Sequence, residues 1–349
     1  MIRLTAAGAA LVAAVALAAC GSSDDGGSST SGSTSGGSSG GGGGKTVAYI
    51  SPVGAQIGQQ QVNFGLDGAA RVEGWKVRVL DANLSPDRQV SHVDTLINER
   101  VGAFASWTLD PGATAGAYTR AQEAGIPVIG VNSEGEGVTS TVWWEVNTCA
   151  PDGPWARTAQ YIAAARPGGK VIVMGGPPAP SIMANVRCFR DAAEKEGLEI
   201  VDQADNVRDA AAPAAQLAED LLTKHGDVDA FWDYNDQTAL GVSSAILNAG
   251  KRVSDGRSEG IMVFGSNGDP DAIQAVREGR LTGSWDTDSV ATGWAVAQAM
   301  RTAMADPGRR QPNLTVRSIL WTAENIGDYV DPEQRDYSFD NIPLVEGGS

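Results

Sequence analysis

Amides, carboxylates and aromatics are the residues here that could do chemistry. The amides are Gln59, Gln60 and Gln61, Asn132 with Ser133 beside it, Asn185, Asn235 and Asn267. Asp110 and Asp286 add carboxylates, and Trp107, Tyr234 and Trp285 add flat apolar faces. An amide or carboxylate can meet two neighbouring hydroxyls, and an indole or phenol ring can cover the C–H face of a sugar. This set suits a small neutral polyol better than a phosphate or a metal. Groups for bond-making chemistry are scarce. Only two His, His92 and His225, occur in 349 residues, both on helical stretches that give them surface or capping roles. A multi-His metal site or a His-relayed nucleophile has little to be built from. Gly241-Val-Ser-Ser-Ala lacks the last Gly of a nucleophile elbow, and Gly175-Gly176 is followed by no phosphate-loop pattern. The acidic stretch 328–336 lacks the spacing of a calcium loop. The chain reads as a binder and not an enzyme, with no cofactor and no metal.

Such residues must be presented by a scaffold, and the pattern of the chain names one. Short β-branched runs alternate with Ala-rich helical stretches, which predicts parallel sheets covered by helices on both faces. Strands are expected at 47–51, 76–81, 102–107, 127–131, 141–146, 170–174, 198–202, 229–232, 261–265, 281–285 and 315–320. Helices are expected at 86–100, 113–124, 154–165, 211–225, 237–248 and 290–305. Asp269-Pro270 supplies an N-cap and a first-turn proline, while Gly125 and Gly250 fall just past helix ends. Ten or more parallel strands in one open sheet would be unusual, so two lobes with a cleft between them fit better. Ligands of such sheets gather at the carboxyl ends of the strands. Gln56 and Gln59–61, Trp107 to Asp110, Asn132 to Glu134, residues 177–181, the loop around Arg208, Tyr234 to Asp236, Asn267, and Trp285 with Asp286 all fall there.

Six stretches together resemble the type 1 periplasmic binding proteins, in particular the ribose-binding-like sugar branch. They are Phe64-Gly-Leu-Asp67-Gly68-Ala69, read as the opening of the first helix, Ala124-Gly-Ile-Pro-Val-Ile129, and Asp229-Ala-Phe-Trp-Asp-Tyr-Asn235-Asp236-Gln-Thr-Ala-Leu-Gly241. Phe264-Gly-Ser-Asn267-Gly268-Asp-Pro270, Leu281-Thr-Gly-Ser-Trp285 and Trp321-Thr-Ala-Glu-Asn325 complete the series. The resemblance implies two Rossmann-like α/β lobes joined by a three-stranded hinge. The crossovers are expected near 146–148, 286–288 and 314–315. The first lobe would comprise 45–147 plus 288–314 and the second 148–287 plus 315–349. It also implies that Asn235 and Asn267 occupy ligand-binding positions, and that a ligand closes the hinge. Asn132-Ser133 stand where the branch carries an Asp-Arg pair, and the glutamines replace its Asn and stacking Phe. These departures argue against ribose itself and leave the stacking to Trp107, Tyr234 or Trp285. Asn185, with Arg187 as the alternative, stands near the branch's helix Arg, and Asp286 near its hinge Gln.

Residues 1–20 carry one Arg ahead of an apolar run too short for a comfortable membrane span. The run ends in Leu17-Ala18-Ala19-Cys20, which resembles the lipobox of bacterial lipoproteins and implies cleavage before Cys20 and lipidation of its sulfur. Residues 21–44 contain only Gly, Ser, Thr and two Asp, the composition of a disordered tether of roughly 25–30 Å r.m.s. span. A net charge of −16 argues against nucleic acid or anionic lipid as a partner. Outside the cytoplasm, Cys149 and Cys188 form a candidate disulfide. The expected role is that of a monomeric, lipid-anchored receptor on the bacterial cell membrane. It would hand a sugar or polyol to the permease subunits of an ABC importer. The alternative is a sensor that presents a nucleoside, a furanosyl signal molecule or a sugar to a membrane receptor or kinase.

Overall fold

β-Branched and aromatic runs bounded by Gly, Pro and Asp become strands, and the Ala-rich stretches between them become helices. The computed structural model describes residues 45–346; the leader, the tether and Cys20 lie outside the described residues. The first half runs β1 (Thr46–Ser51), α1 (Ile57–Glu73), β2 (Lys76–Asp81), α2 (Pro86–Glu99), β3 (Ala103–Ser106), α3 (Pro111–Glu123), β4 (Val128–Val131) and β5 (Ser140–Trp144). The second half repeats the rhythm with α4 (Pro154–Ala165), β6 (Lys170–Gly175), α5 (Pro180–Lys195), β7 (Glu199–Asp205), α6 (Ala211–Lys224) and β8 (Ala230–Asp233). It continues through α7 (Asp236–Asn248), β9 (Met262–Asn267), α8 (Pro270–Arg277) and β10 (Gly283–Asp286). The chain then returns through α9 (Ser289–Ala305), β11 (Leu314–Val316) and β12 (Ile319–Thr322).

The strands form two six-stranded sheets, ordered β2-β1-β3-β4-β5-β11 and β7-β6-β8-β9-β10-β12. Every pairing is parallel except that of β12 with β10. Both sheets therefore repeat a doubly wound order whose direction reverses beside the first strand of the set. The two switch points, β1/β3 and β6/β8, are where such sheets open a crevice for ligands. Each sheet is covered on both faces. In the first lobe, α1 and α9 pack over Tyr49, Ile129 and Val142, while Val93, Leu96 and Tyr118 close the opposite side. Helices α1 and α9 approach so closely at Gly65 and Gly293 that a Cβ on Gly65 would lie 2.0 Å from the Val290 carbonyl oxygen. In the second lobe, α6 and α7 cover one face, and Trp155, Phe189 and Trp232 fill the other.

The crossovers correct three expectations. The single strand expected at 315–320 is two strands in different sheets, because the chain changes lobe at Arg317-Ser318. The Ser318 amide there donates to Glu145 Oε2 at 2.8 Å, tying the third crossover to the first. Residues 314–316 thus belong with the first lobe. So does much of the tail: Tyr337, Phe339, Ile342 and Leu344 pack on the first core, and Leu344 bridges Val316. Asp67-Gly68-Ala69 lies well inside α1, which opens at Ile57. Cys149 and Cys188 are bonded, with their Cα atoms 5.5 Å apart, and pin the first crossover to α5. The histidines hold local roles: His225 caps α6 and lies 2.7 Å from Asp202 Oδ2, and His92 Nε2 lies 3.0 Å from the Asp81 carbonyl.

Candidate functional site

A cavity with an empty volume of about 660 Å³, part of it open to solvent, lies between the lobes at the two switch points. The first lobe contributes Gln56 and Gln59 from the start of α1, Trp107 from the end of β3 and Trp144 from the end of β5. The second contributes Ser181 and Asn185 from the start of α5, Asp209 from the β7–α6 loop, Tyr234 and Asn235 after β8, and Asn267 at the end of β9. The jaws touch. Gln56 Nε2 donates to Asp209 across the cleft, and Trp107 Nε1 donates to Ser181 Oγ at 3.3 Å.

Six of the expected residues meet at this cavity: Gln59, Trp107, Asn185, Tyr234, Asn235 and Asn267. Their polar atoms differ in what they leave for a guest. Gln59 Oε1 accepts the buried Tyr49 hydroxyl at 2.5 Å, which aims its amide nitrogen. Asn235 is committed at both ends: Oδ1 accepts the Thr238 amide at 3.0 Å as the α7 cap, and Nδ2 donates to Asp209 at 2.7 Å. Asn185 is likewise engaged, accepting Trp155 Nε1 at 3.3 Å and donating to Asn147 Oδ1 at 2.5 Å. Asn267 sits at φ 132 beside Gly268, a turn geometry in which its side chain makes no hydrogen bond among the described residues. Trp107 stacks edge-on against Trp144 with centroids 4.9 Å apart.

The other expected residues do not line this cavity, and most of them hold a structural duty elsewhere. Asp110 caps α3, its Oδ1 accepting the amides of Gly112 and Ala113 at 2.9 and 3.1 Å. Asn132 adopts φ 50 and accepts the Trp144 amide at 2.7 Å, holding the end of β5. Ser133 Oγ accepts the Thr108 amide at 3.0 Å and is buried. Gln60 is exposed and turns back to the Gly54 and Ala55 carbonyls, and the alternative Arg187 is exposed on α5. Trp285 lies wholly in the second core, its Nε1 donating to Thr158 Oγ1 at 2.9 Å. Asp286 is buried at the second crossover against Arg335, 2.5 Å away.

The sequence reading missed Asp209 as a site residue. Its carboxylate accepts from Gln56 Nε2, from the Tyr234 hydroxyl and from Asn235 Nδ2. Burial pushes its pKa up from the ordinary carboxylate range, against the pull of those three donors. The same burial, with the Asp209 charge, raises the Tyr234 hydroxyl and keeps it a donor. Asp209 sits in no motif; the loop around Arg208 was the only pointer to it. Gln56, Trp144 and Asn147 also line the cavity, and of these only Gln56 has a sequence signal, its place after β1. Among the described residues, no cluster of His, Cys, Asp or Glu could hold a metal ion, and no helix is long and apolar enough to cross a membrane.

A family model described as periplasmic binding protein domain matches residues 47–308. The ribose import binding protein RbsB of Bacillus subtilis (strain 168) is 27% identical over 220 residues, which is 62% of this chain and 68% of that protein. Among solved structures, an ABC transporter solute-binding protein from Bacillus halodurans C-125 with bound myo-inositol aligns with a TM-score of 0.70 at 21% identity, covering 83% of this chain and 98% of that one. A periplasmic ribose ABC transporter protein from Conexibacter woesei aligns with a TM-score of 0.69 at 22% identity, over 82% of this chain and 94% of that one. At these identities the two structures establish the fold.

Proposed function

Because the chain belongs to the periplasmic binding protein domain family, we propose that it is the extracytoplasmic solute receptor of an ABC importer, capturing a sugar or related polyol between its lobes. One observation carries the reading. At both switch points the sheets present neutral amides and aromatic rings to one cavity, with no Lys, Arg or His in its wall. Hydroxyls would pair with the Gln59 and Asn267 amides and the remaining lone pair of Asp209 Oδ2. Trp107 and Tyr234 offer faces for C–H groups. Gln56 and Asp209 bond only when the jaws meet, so their contact belongs to the closed side of a hinge equilibrium that a ligand would shift. The lipobox-like Leu17-Ala18-Ala19-Cys20 and the Gly/Ser stretch behind it support a lipid anchor with the receptor held off the membrane.

The test is a thermal-shift and Trp-fluorescence screen of the secreted chain with D-ribose, D-arabinose, D-allose and myo-inositol. A true ligand at a hundredfold excess over its Kd stabilises by about 2.7 kcal/mol. Asn267→Ala is expected to weaken that ligand by about 1–3 kcal/mol, because a hydroxyl is left without its partner. A screen in which no sugar or polyol shifts the melting transition would reject the reading. Replacing Cys20 with Ala and finding the protein still in the membrane fraction would reject the anchor alone.

A further inference from the structure

Among the described residues, Asp209 is the one carboxylate in the cavity wall, and no Lys, Arg or His lines it. Three donors converge on that carboxylate: an amide from the opposite lobe, a phenol, and the amide that caps α7. A protonated carboxyl would turn its own O–H toward one of those donors. Three donors favour the ionised form, which accepts from all of them without an O–H of its own to place. The backbone that carries Asp209 is itself anchored. It lies in the left-handed region at φ 54, its amide donates to the Asn206 carbonyl at 3.0 Å, and Asn206 is anchored to Ala210 O and Thr238 Oγ1, each at 3.0 Å.

The nearby charges do not neutralise it. Arg208 and Asp269 line the outer mouth of the cleft, and Arg208 forms no ion pair among the described residues. Asp233 and Asp236, at the end of β8 and the start of α7, are fully buried behind the site, and burial pushes both toward the protonated form.

Building on the polyol reading above, we infer that Asp209 is the specificity-determining residue that sets the charge class of the ligand: the cleft takes uncharged hydroxylated ligands and rejects anionic sugars. The uncharged guest adds a hydroxyl donor to the remaining lone pair of a carboxylate already in place. A uronate or sugar phosphate instead brings a like charge within about 5 Å in a poorly solvated space, which weakens binding by about a hundredfold or more.

The experiment measures Kd by calorimetry for matched pairs: D-ribose with ribose 5-phosphate, D-glucose with glucuronate, D-galactose with galacturonate, and myo-inositol with its 1-phosphate. The readout is the ratio of anionic to neutral Kd, in which general damage to the site cancels. The native chain is expected to show a ratio of about 100 or more. Asp209→Asn is expected to lower it at least tenfold. Tyr234→Phe, which removes a donor and keeps the charge, is expected to preserve the ratio whatever it does to either Kd. A native ratio near 1, or an unchanged ratio in Asp209→Asn, overturns the inference while leaving polyol binding intact. Failure of every probe to bind overturns the polyol reading, and this inference with it.

Discussion

The buried carboxylates at the second crossover and the half-buried carboxylate in the cleft are completed in opposite ways. At the second crossover, Asp286 and Asp288 face Arg335, whose guanidinium reaches them at 2.5 and 3.0 Å. Trp321 Nε1 donates to Asp286 at 3.1 Å and the Tyr337 hydroxyl to Asp288 at 2.5 Å. Arg335 belongs to the tail, which leaves the second lobe with Tyr329 against Trp321 and reaches the first with Phe339 against Trp294. The hinge charge is therefore matched within the chain, by a segment that touches both lobes. In the cleft, Asp209 has as many donors but no cation. The hinge carboxylates hold the protein to itself. The cleft carboxylate is left with a free lone pair and no ion-pair partner, the arrangement of a group that serves something arriving from outside.

The largest test of this contrast removes the hinge cation. Arg335→Met leaves two carboxylates buried two residues apart, and breaking one side of such a pair lowers stability by about 3–5 kcal/mol. Arg335→Lys is expected to recover only part of it, since an ammonium cannot fork between two carboxylates as a guanidinium does. Urea denaturation at pH 7 measures both. A loss under about 1 kcal/mol for the Met variant would show that the hinge charges need no partner, and the contrast would fail.

A smaller effect comes from Asp269, a third acidic group at the mouth of the cleft. It is 4% exposed, its Oδ1 has no partner, and its Oδ2 meets only Gln237 Nε2 at 3.5 Å. Burial pushes its pKa up to about 6, with the Asp271 and Asp209 charges adding to the rise. A raised folded pKa means the folded state holds the proton more tightly than the unfolded chain, which releases it near pH 4. The associated stability is present below about pH 4 and is lost as the pH rises to about 6, by roughly 2–3 kcal/mol. Comparing denaturation of the native chain with Asp269→Asn between pH 4 and 7 isolates this slope. Equal slopes in the two proteins would show that the carboxyl finds a partner or solvent after all.

The framework was legible in the sequence because its signals are local. Lys76–Asp81 and Pro154–Ala165 fall where β-branched alternation and a first-turn proline place them. The break at Arg317-Ser318 was not legible. Leu314–Val316 and Ile319–Thr322 read as one apolar run, and bonds from Ser318 to Glu145, 173 positions away in sequence, and from Arg317 to the Pro343 carbonyl divide them. In the site, residues at the switch points were found because topology alone puts them there. Asp110 and Asn132 were misread because Asp and Asn serve backbone capping with the same atoms that serve a ligand. Trp285 was misread because a strand position does not tell which face a ring takes. Asp209 carried no pattern; its importance comes from three donors that converge from distant parts of the chain.

The finest test asks how little the unliganded protein depends on Asp209. Asp209→Asn relieves a half-buried charge without an ion-pair partner, which is stabilising. It also turns an amide NH2 toward at least one of the three donors and leaves that donor unpaired, a loss of about 1–3 kcal/mol. The two effects oppose each other, so the expected net change in unfolding free energy at pH 7 is within about 1 kcal/mol, far below that of Arg335→Met. Calorimetric melting without ligand measures it. A loss above about 3 kcal/mol would make Asp209 a structural anchor of the hinge kind. Charge discrimination in the cleft would then be a by-product of holding the jaws together. A change near zero, with ligand discrimination altered in the same variant, separates the two roles, because a group that contributes little to the empty fold can act on the guest without weakening the host.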